Sequence, residues 1–407
     1  MTRLGLLAFA VCCAAPISCW AQVATPAAGN ARDCLQQASA PLDISNEAAF
    51  RKRLQAWLEF CKQAVVENAT DPRLKVAWAR ALSADGKRVE AVAQFRAAAA
   101  QNDAEANYEL YETHKSYDRG DVNKTPLVSR AEAERSLRKA AELGHPYSMW
   151  ILAVLLDRGS TVKRDPDDAI LWAERAMATP PKDTRPADIE IRLGHFLAKS
   201  DKPANQARGI GILERYAKGR GDAQSYLALA VRSSDPARAR TLLEQAVKSY
   251  PGHAVPPLAD MLIQGEGGPA DTKRALSLLR TKAQDVSAVK AALGRLYLDG
   301  RLMPRDVKEA VRLIRTDTIW SHDSRLQLMG LLAANPDVQI DYPGGVLYDA
   351  TEAAELGEPG ALLALIDLKL SKSAQFADRA GGCALAERAA AQRFDGAAQR
   401  TQACRAN

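Results

Sequence analysis

The stretch that decides the fold is residues 288–315, which read AVKAALGRLYLDGRLMPRDVKEAVRLIR. Its first half places apolar residues at helical spacing, and Gly300 follows directly, as expected where a left-handed residue closes a helix. Asp306 has a side chain suited to cap the start of a second helix, and Ala310 gives that helix a small face. The stretch therefore predicts two helices joined by a short turn.

The same three residue types recur at the same spacing in two other places. Residues 155–176 and 261–283 also carry a Gly, a variable turn, an Asp and an Ala, and in each case the Ala lies ten residues after the Gly and four after the Asp. The repeated positions are Gly159, Gly265, Gly300, Asp165, Asp271, Asp306, Ala169, Ala275 and Ala310. Capping and close packing account for all nine, so we predict structural roles for them and no catalytic role for the aspartates.

The period of the pattern predicts the architecture. Gly265 and Gly300 are 35 residues apart, and helix pairs of about that period are typical of α-solenoids. Val and Ile are sparse in a chain that is 47% hydrophobic, which favours helix over strand. We therefore expect an all-α, right-handed solenoid of stacked antiparallel helix pairs.

Two parts of the chain resemble known repeat families. Residues 288–315 resemble Sel1-like repeats in Leu293-Gly294, Tyr297 and the glycine, aspartate and alanine described above. Residues 71–103 resemble a tetratricopeptide (TPR) unit, with Trp78 on one helix, the turn Asp85-Gly86 and a second helix. The resemblance implies a scaffold that binds protein partners. Exported Sel1-like proteins are often similar to scaffolds or regulators of exopolysaccharide production and envelope processes, with a weaker similarity here to the alginate-secretion scaffold lipoproteins.

These patterns divide the chain into five segments. The predicted segments are a signal peptide (1–21), a partly extended N-terminal segment (22–49), TPR-like units (50–103), Sel1-like repeats (104–395, degenerate near 180–215 and 315–350) and a C-terminal tail tied by a disulfide (396–407).

The N-terminus has the features of a secretory signal peptide. Arg3 is followed by an apolar run, and small Ala21 precedes a predicted cut before Gln22. These features favour a periplasmic protein. A cut before Cys19 followed by acylation is the alternative, which would produce an outer-membrane lipoprotein, and membrane association is expected only in that case.

Four cysteines lie beyond the signal segment: Cys34, Cys61, Cys383 and Cys404. Three disulfide pairings are open, and the pairing of sequence neighbours closes the shortest loops. Zinc binding is the competing interpretation, but the spacing lacks the paired ligands of zinc sites. We expect disulfides that hold the two ends of the repeat array, which agrees with export.

Residues suited to catalysis are scattered along the chain. The five histidines form no metal-binding motif, and no phosphate-binding loop or nucleophile elbow occurs. The sequence therefore predicts a binding protein with no enzymatic activity, no cofactor and no metal.

Function is expected on the repeat surface. Five aromatic residues are candidates for lining a groove that binds a protein partner: Tyr108, Tyr111, Tyr117, Tyr226 and Trp320. The formal net charge is +6, but basic residues are interspersed with acidic ones, which argues against nucleic acid. An acidic polysaccharide bound by a basic groove is the alternative ligand.

Overall fold

The computed structural model describes residues 26–39, 45–115, 127–159, 162–317, 322–341, 343–355 and 359–405. These residues form α-helices and one short 3-10 helix and contain no strand, so the predicted all-α class is confirmed. The predicted signal peptide 1–21, with Cys19, lies outside the described residues, as do Tyr117 and Trp320.

The chain divides into two compact units, Met1–Ala91 and Val92–Asn407. Unit 1 contains α1 (Pro26–Ser39), α2 (Glu47–Glu67) and α3 (Pro72–Ala84), and the division falls inside α4 (Arg88–Ala99). The units thus separate earlier in the chain than the boundary at 103 that the sequence pattern suggested.

The expectation of a partly extended segment at 22–49 was wrong for residues 26–39, which form α1. Pro26 stands at the start of that helix, where a missing N–H group costs nothing. Cys34 of α1 is buried and bonded to Cys61 of α2, beside buried Trp57. The helix is therefore fixed by packing that its short sequence does not reveal.

Unit 2 is a succession of short helices. They are α5 (Ala104–Lys115), α6 (Arg130–Glu142), α7 (Pro146–Arg158), α8 (Pro166–Ala178), α9 (Pro186–Ala198), α10 (Pro203–Tyr216), α11 (Gly221–Val231), α12 (Pro236–Ala246), α13 (Pro251–Gln264), α14 (Thr272–Lys282), α15 (Ser287–Asp299), α16 (Val307–Ile314), the 3-10 helix η1 (Arg315–Asp317), α17 (His322–Ala334), α18 (Pro343–Glu355), α19 (Pro359–Leu370), α20 (Arg379–Ala391) and α21 (Ala397–Arg405). The last helix, α21, lies within the segment 396–407 that was expected to be a C-terminal tail tied by a disulfide.

From α5 to α16 the helices pack as consecutive pairs, each with a first helix and a second helix. The backbones of the first helices α9, α11, α13 and α15 also lie close to one another in order, whereas those of the second helices α10, α12, α14 and α16 lie farther apart. A stack in which one row of helices is closer together than the other curves toward the closer row. The first helices therefore form the inner row of this part of unit 2.

The repeated residues lie at the joints of these pairs. Gly159, Gly265 and Gly300 close α7, α13 and α15 with φ values of 66°, 70° and 72°, which glycine adopts without strain. The three repeated aspartates cap α8, α14 and α16 by accepting a backbone N–H bond. The three repeated alanines are fully buried where the paired helices meet.

Two further helices begin with the same aspartate cap, although the sequence pattern did not predict them. Asp235 and Asp378 cap α12 and α20 in the same way. The residue four positions later is again small and buried, Ala239 in one case and Gly382 in the other. Neither unit has a glycine ten residues before its small residue, which is the feature that identifies the other units in the sequence.

The region near 180–215, predicted to be degenerate, forms a regular helix pair by other means. Lys202 stands at the N-terminus of α10 and provides no side-chain cap. Close packing comes from glycines instead, because Gly209 of α10 lies against the backbone of Gly194 and Ala198 in α9. The small residue has moved by about one helical turn, so the sequence pattern is lost while the packing is kept.

Candidate functional site

A cleft with a volume of about 690 Å³ lies on the inner row. We call it the inner cleft. Every lining residue comes from one of the first helices α7, α9, α13 and α15, from η1 or from α17. The lining residues are Asp157, Arg158, Arg192, His195, Gly252, His253, Pro256, Ala288, Arg295, Asp317, Asp323 and Gln327. One continuous surface thus draws its side chains from α7, α9, α13, α15 and α17.

Stacked rings support the middle of the inner cleft. The ring of His195 on α9 stacks on Tyr226 of α11 at a centroid distance of 4.1 Å, and His253 of α13 stacks on Tyr250 at 4.6 Å. The two tyrosine hydroxyls are 2.9 Å apart and share a hydrogen bond. Tyr226 is buried, so it holds three successive first helices in place from beneath the cleft.

The arginines of the cleft form no close ion pairs, although Arg295 acts on the carboxyls of Asp317 and Asp260 and Asp157 acts on Arg158 from a greater distance. Arg158, Arg192 and Arg295 form no ion pair with any residue in the described ranges. The Arg192 guanidinium lies 5.1 Å from the centroid of the Tyr226 ring, which orients it by a cation–π contact. Burial and the neighbouring Arg192 lower the pKa of Arg158, because both oppose its positive charge.

The acidic residues of the cleft are placed differently. Asp157 is 2.6 Å from the ammonium group of Lys199, and buried Asp317 accepts a hydrogen bond from Ser324 at 2.8 Å. Burial raises the pKa of Asp317. Asp323 is exposed on α17. The cleft is therefore basic at its α7–α9 end and carries acidic groups at its η1–α17 end.

The histidines contribute neutral rings at pH 7. Burial, followed by Arg192 and Arg158, lowers the pKa of His253 to about 4. Burial, followed by Lys199, Arg192 and His253, also lowers the pKa of His195 well below its ordinary value. Loss of water around the ring and repulsion from nearby cations both disfavour the imidazolium form.

The inner cleft only partly matches the groove expected from the aromatic residues. Tyr226 and Tyr111 are 2% and 6% exposed, so the expectation that they face a groove was wrong. Their rings fill the spaces between packed helices. Tyr108 is half-buried and stacks on His145 at 4.6 Å, with Tyr147 edge-on.

Sequence analysis missed the arginines and histidines of the cleft because they occur singly in different repeats. One feature of the sequence does indicate two of these residues. His195 and Arg295 each follow a Leu-Gly pair, Leu193-Gly194 and Leu293-Gly294, at the same position of two first helices. A polar residue next to this buried pair faces the inner row. Among the described residues, no group of three or more His, Cys, Asp or Glu could hold a metal ion.

The four cysteines form two disulfides between sequence neighbours. Cys34–Cys61 joins α1 to α2 in unit 1, and Cys383–Cys404 joins α20 to α21 in unit 2. The predicted presence of disulfides is confirmed, and of the three open pairings the local one is observed. No helix among the described residues has the length and apolar character to cross a bilayer.

Solved structures similar to this chain are helical repeat proteins. A Sel1 repeat protein from Oxalobacter formigenes is 22% identical over 75% of this chain and 88% of that chain, with a TM-score of 0.38. A protective antigen of uropathogenic Escherichia coli with an SLR fold is 18% identical over 91% and 78%, with a TM-score of 0.41. Yeast Tom70 is 14% identical over 87% and 86%, also with a TM-score of 0.41. No protein-family profile and no curated protein sequence matches the chain.

The chain's own features define its class. Paired helices, the recurrence near 35 residues, glycine C-caps and aspartate N-caps describe an α-solenoid of stacked helix pairs.

Proposed function

We propose that this protein is a periplasmic scaffold that binds a protein partner along the inner row of unit 2, in a process of exopolysaccharide production or of the cell envelope. The observation that carries the proposal is the inner cleft. It gathers side chains from successive first helices into one surface, and such surfaces are the means by which helical repeats bind extended ligands.

Two features support the periplasmic location. The first 21 residues have the composition of a secretory signal peptide, and both disulfides require an oxidising compartment to persist. Fractionation of cells that express the full chain, with mass spectrometry of the mature N-terminus, tests this location. A cut before Gln22 is the expected result. An acylated Cys19 would place the protein on a membrane, and an uncut chain in the cytoplasm would contradict the proposal.

Photo-crosslinking from the inner cleft in intact cells tests the scaffold function. A crosslinkable residue at Gln327 should capture the same protein in repeated experiments, because Gln327 lines the cleft. A crosslinkable residue at Arg280, exposed on the second helix α14, is the matched control. Equal capture from both positions, or none from Gln327, would contradict binding along the inner row.

A binder of acidic polysaccharide is the second candidate, and the uncompensated arginines of the inner cleft are the observation that favours it. The two candidates differ in ligand chemistry, since one binds a polypeptide and the other a polymer of acidic sugars.

A further inference from the structure

Arg158 and Arg192 place two positive charges at the α7–α9 end of the inner cleft. Arg158 and Arg192 are half-buried and lie close enough for Arg192 to lower the pKa of Arg158. Neither forms an ion pair within the described parts of the chain. Bringing two guanidinium groups together away from bulk water costs free energy, so a site that keeps them is suited to an anionic ligand.

Arginines that lie between successive second helices are paired with carboxylates. Successive second helices are joined by ion pairs between one repeat and the next, with N–O distances from 2.5 to 3.1 Å. These pairs are Arg138–Asp168, Arg208–Glu174, Arg238–Glu214 and Arg274–Glu244. Arg158 and Arg192 differ from these four arginines, because within the described residues neither has a carboxylate at ion-pair distance.

We propose that Arg158 and Arg192 bind the carboxylates of an acidic peptide segment, which is supplied by the protein partner and extends along the inner cleft toward α17. This inference rests on the proposed scaffold function and specifies the partner's chemistry. Guanidinium groups suit carboxylates because each presents paired N–H donors to two oxygens. The ring of Tyr226 holds Arg192 in position before the ligand arrives.

The charge pattern of the cleft favours a peptide over a polyuronate. A polyuronate carries a negative charge on every sugar and would meet exposed Asp323 at the far end of the cleft, where buried Asp317 is a second carboxyl. Sugar rings also bind well to exposed aromatic faces, but Tyr226 is buried. A peptide can place carboxylates at the arginine end only and neutral or basic residues beyond them.

Fluorescence anisotropy with a defined probe tests the proposal. The probe is a labelled peptide Glu-Glu-Ala-Ala-Ala-Ala with both ends blocked, and the matched probe has Gln-Gln in place of Glu-Glu. We expect the full-length protein to bind the glutamate probe more tightly and to lose affinity as salt rises. The variant R158Q/R192Q should bind the glutamate probe at least about tenfold more weakly, because two charge-assisted contacts are removed.

The control variant R280Q removes the same kind of charge from an exposed position on α14 and should bind the probe within about twofold of the wild type. Thermal unfolding of both variants shows whether they remain folded. R192K, which keeps the charge but loses the paired donors, should fall between the wild type and the double variant. Equal binding of the glutamate and glutamine probes, or equal binding by wild type and R158Q/R192Q, would overturn the proposal.

A parallel measurement with an oligogalacturonate tests the other ligand class. Tighter, arginine-dependent binding of the oligogalacturonate than of the glutamate probe would overturn the choice of a peptide. Failure of the scaffold function has a different signature, since it leaves peptide binding intact while crosslinking in cells from Gln327 yields no protein. Loss of peptide binding with crosslinking preserved overturns the cleft chemistry alone.

Discussion

At the scale of single residues, the joints between helices depend on side chains that are small or absent. Gly209 shows this clearly, because it lies against the backbone of the neighbouring helix. A Cβ atom there would lie 2.5 Å from the backbone nitrogen of Ala198 and 2.6 Å from the carbonyl oxygen of Gly194. Backbone atoms cannot rotate away as a side chain can, so α9 and α10 would have to separate.

Gly209→Ala should therefore lower the free energy of unfolding by about 1–3 kcal/mol, the usual cost of overpacking. Gly211→Ala on the same helix is the matched control, because nothing lies within 4 Å of the added Cβ atom. That change should raise stability by about 0.5–1 kcal/mol, since alanine is the better helix former. Chemical denaturation measures both. Equal effects of the two substitutions would contradict the close approach of α9 and α10.

His253 is expected to make the stability of the protein depend on pH. The pKa of His253 is lowered from 6.5 to about 4, and the groups facing it are Arg158 of α7, Arg192 and His195 of α9, and Tyr226 and Tyr250. Between these pH values the unfolded chain binds a proton that the folded protein does not. His253 therefore lowers stability as pH falls from 6.5 to about 4, and adds no further loss below that.

The ring of His253 is partly exposed, so solvent screening reduces the effect to about 1 kcal/mol, or about 2 °C in Tm. The Tm of the wild type should fall more between pH 7 and pH 4.5 than that of His253→Gln. Titration of His253 followed by NMR is the direct check, and R192Q should raise its pKa. A His253 ring that titrates at its ordinary value would contradict the predicted burial and repulsion.

At the scale of helices and their joints, the sequence pattern predicted those units in which glycine, aspartate and alanine keep their offsets. It missed the unit capped by Asp235 because the glycine is absent from the preceding turn, where Arg232 follows α11 in a right-handed conformation. It missed α1 because burial against α2, through Cys34 and Cys61, fixes that helix. Helix caps and turns depend on neighbouring residues and can be predicted from the sequence, whereas the packing of one helix on another depends on residues that are distant in the chain.

The inner cleft could not be predicted for the same reason. Arg158 and Arg192 are separated by 34 positions in the chain and meet only because α7 and α9 occupy the same row. The aromatic residues did not predict the position of the cleft, because their spacing in the sequence does not distinguish a ring buried between two helices from a ring on the surface. Tyr226 belongs to the first kind.

The Cys383–Cys404 disulfide gives a prediction for the last helix. It closes a loop of 21 residues between α20 and α21, and a bridge of that size contributes about 3 kcal/mol in the chain-entropy account. Replacing both cysteines by serine should free α21, and its amide hydrogens should exchange faster while those of α11–α15 are unchanged. The matched variant C34S/C61S should leave exchange in α21 as in the wild type. Unchanged protection of α21 without its bridge would contradict the role of the disulfide.

At the scale of the whole molecule, unit 2 has several cores in sequence. One buried cluster runs from Ile191 to Leu313, a second from Ala310 to Phe376, and a third from Met329 to Ala397. Each helix pair contacts mainly its neighbours. Such proteins divide their stability among repeats and the interfaces between them, so the effect of a substitution should decline with distance along the stack.

Ala275→Leu tests this arrangement, because Ala275 is fully buried in the first cluster. The larger side chain should cost about 1–3 kcal/mol and speed hydrogen exchange in α11–α16, while α19–α21 keep their wild-type protection. Ser277→Leu adds a leucine to the exposed face of the same helix and should change neither region. A uniform rise in exchange from α5 to α21 would show that unit 2 unfolds as one cooperative body. In that case a ligand in the inner cleft would stabilise the entire unit, and not only the repeats that it contacts.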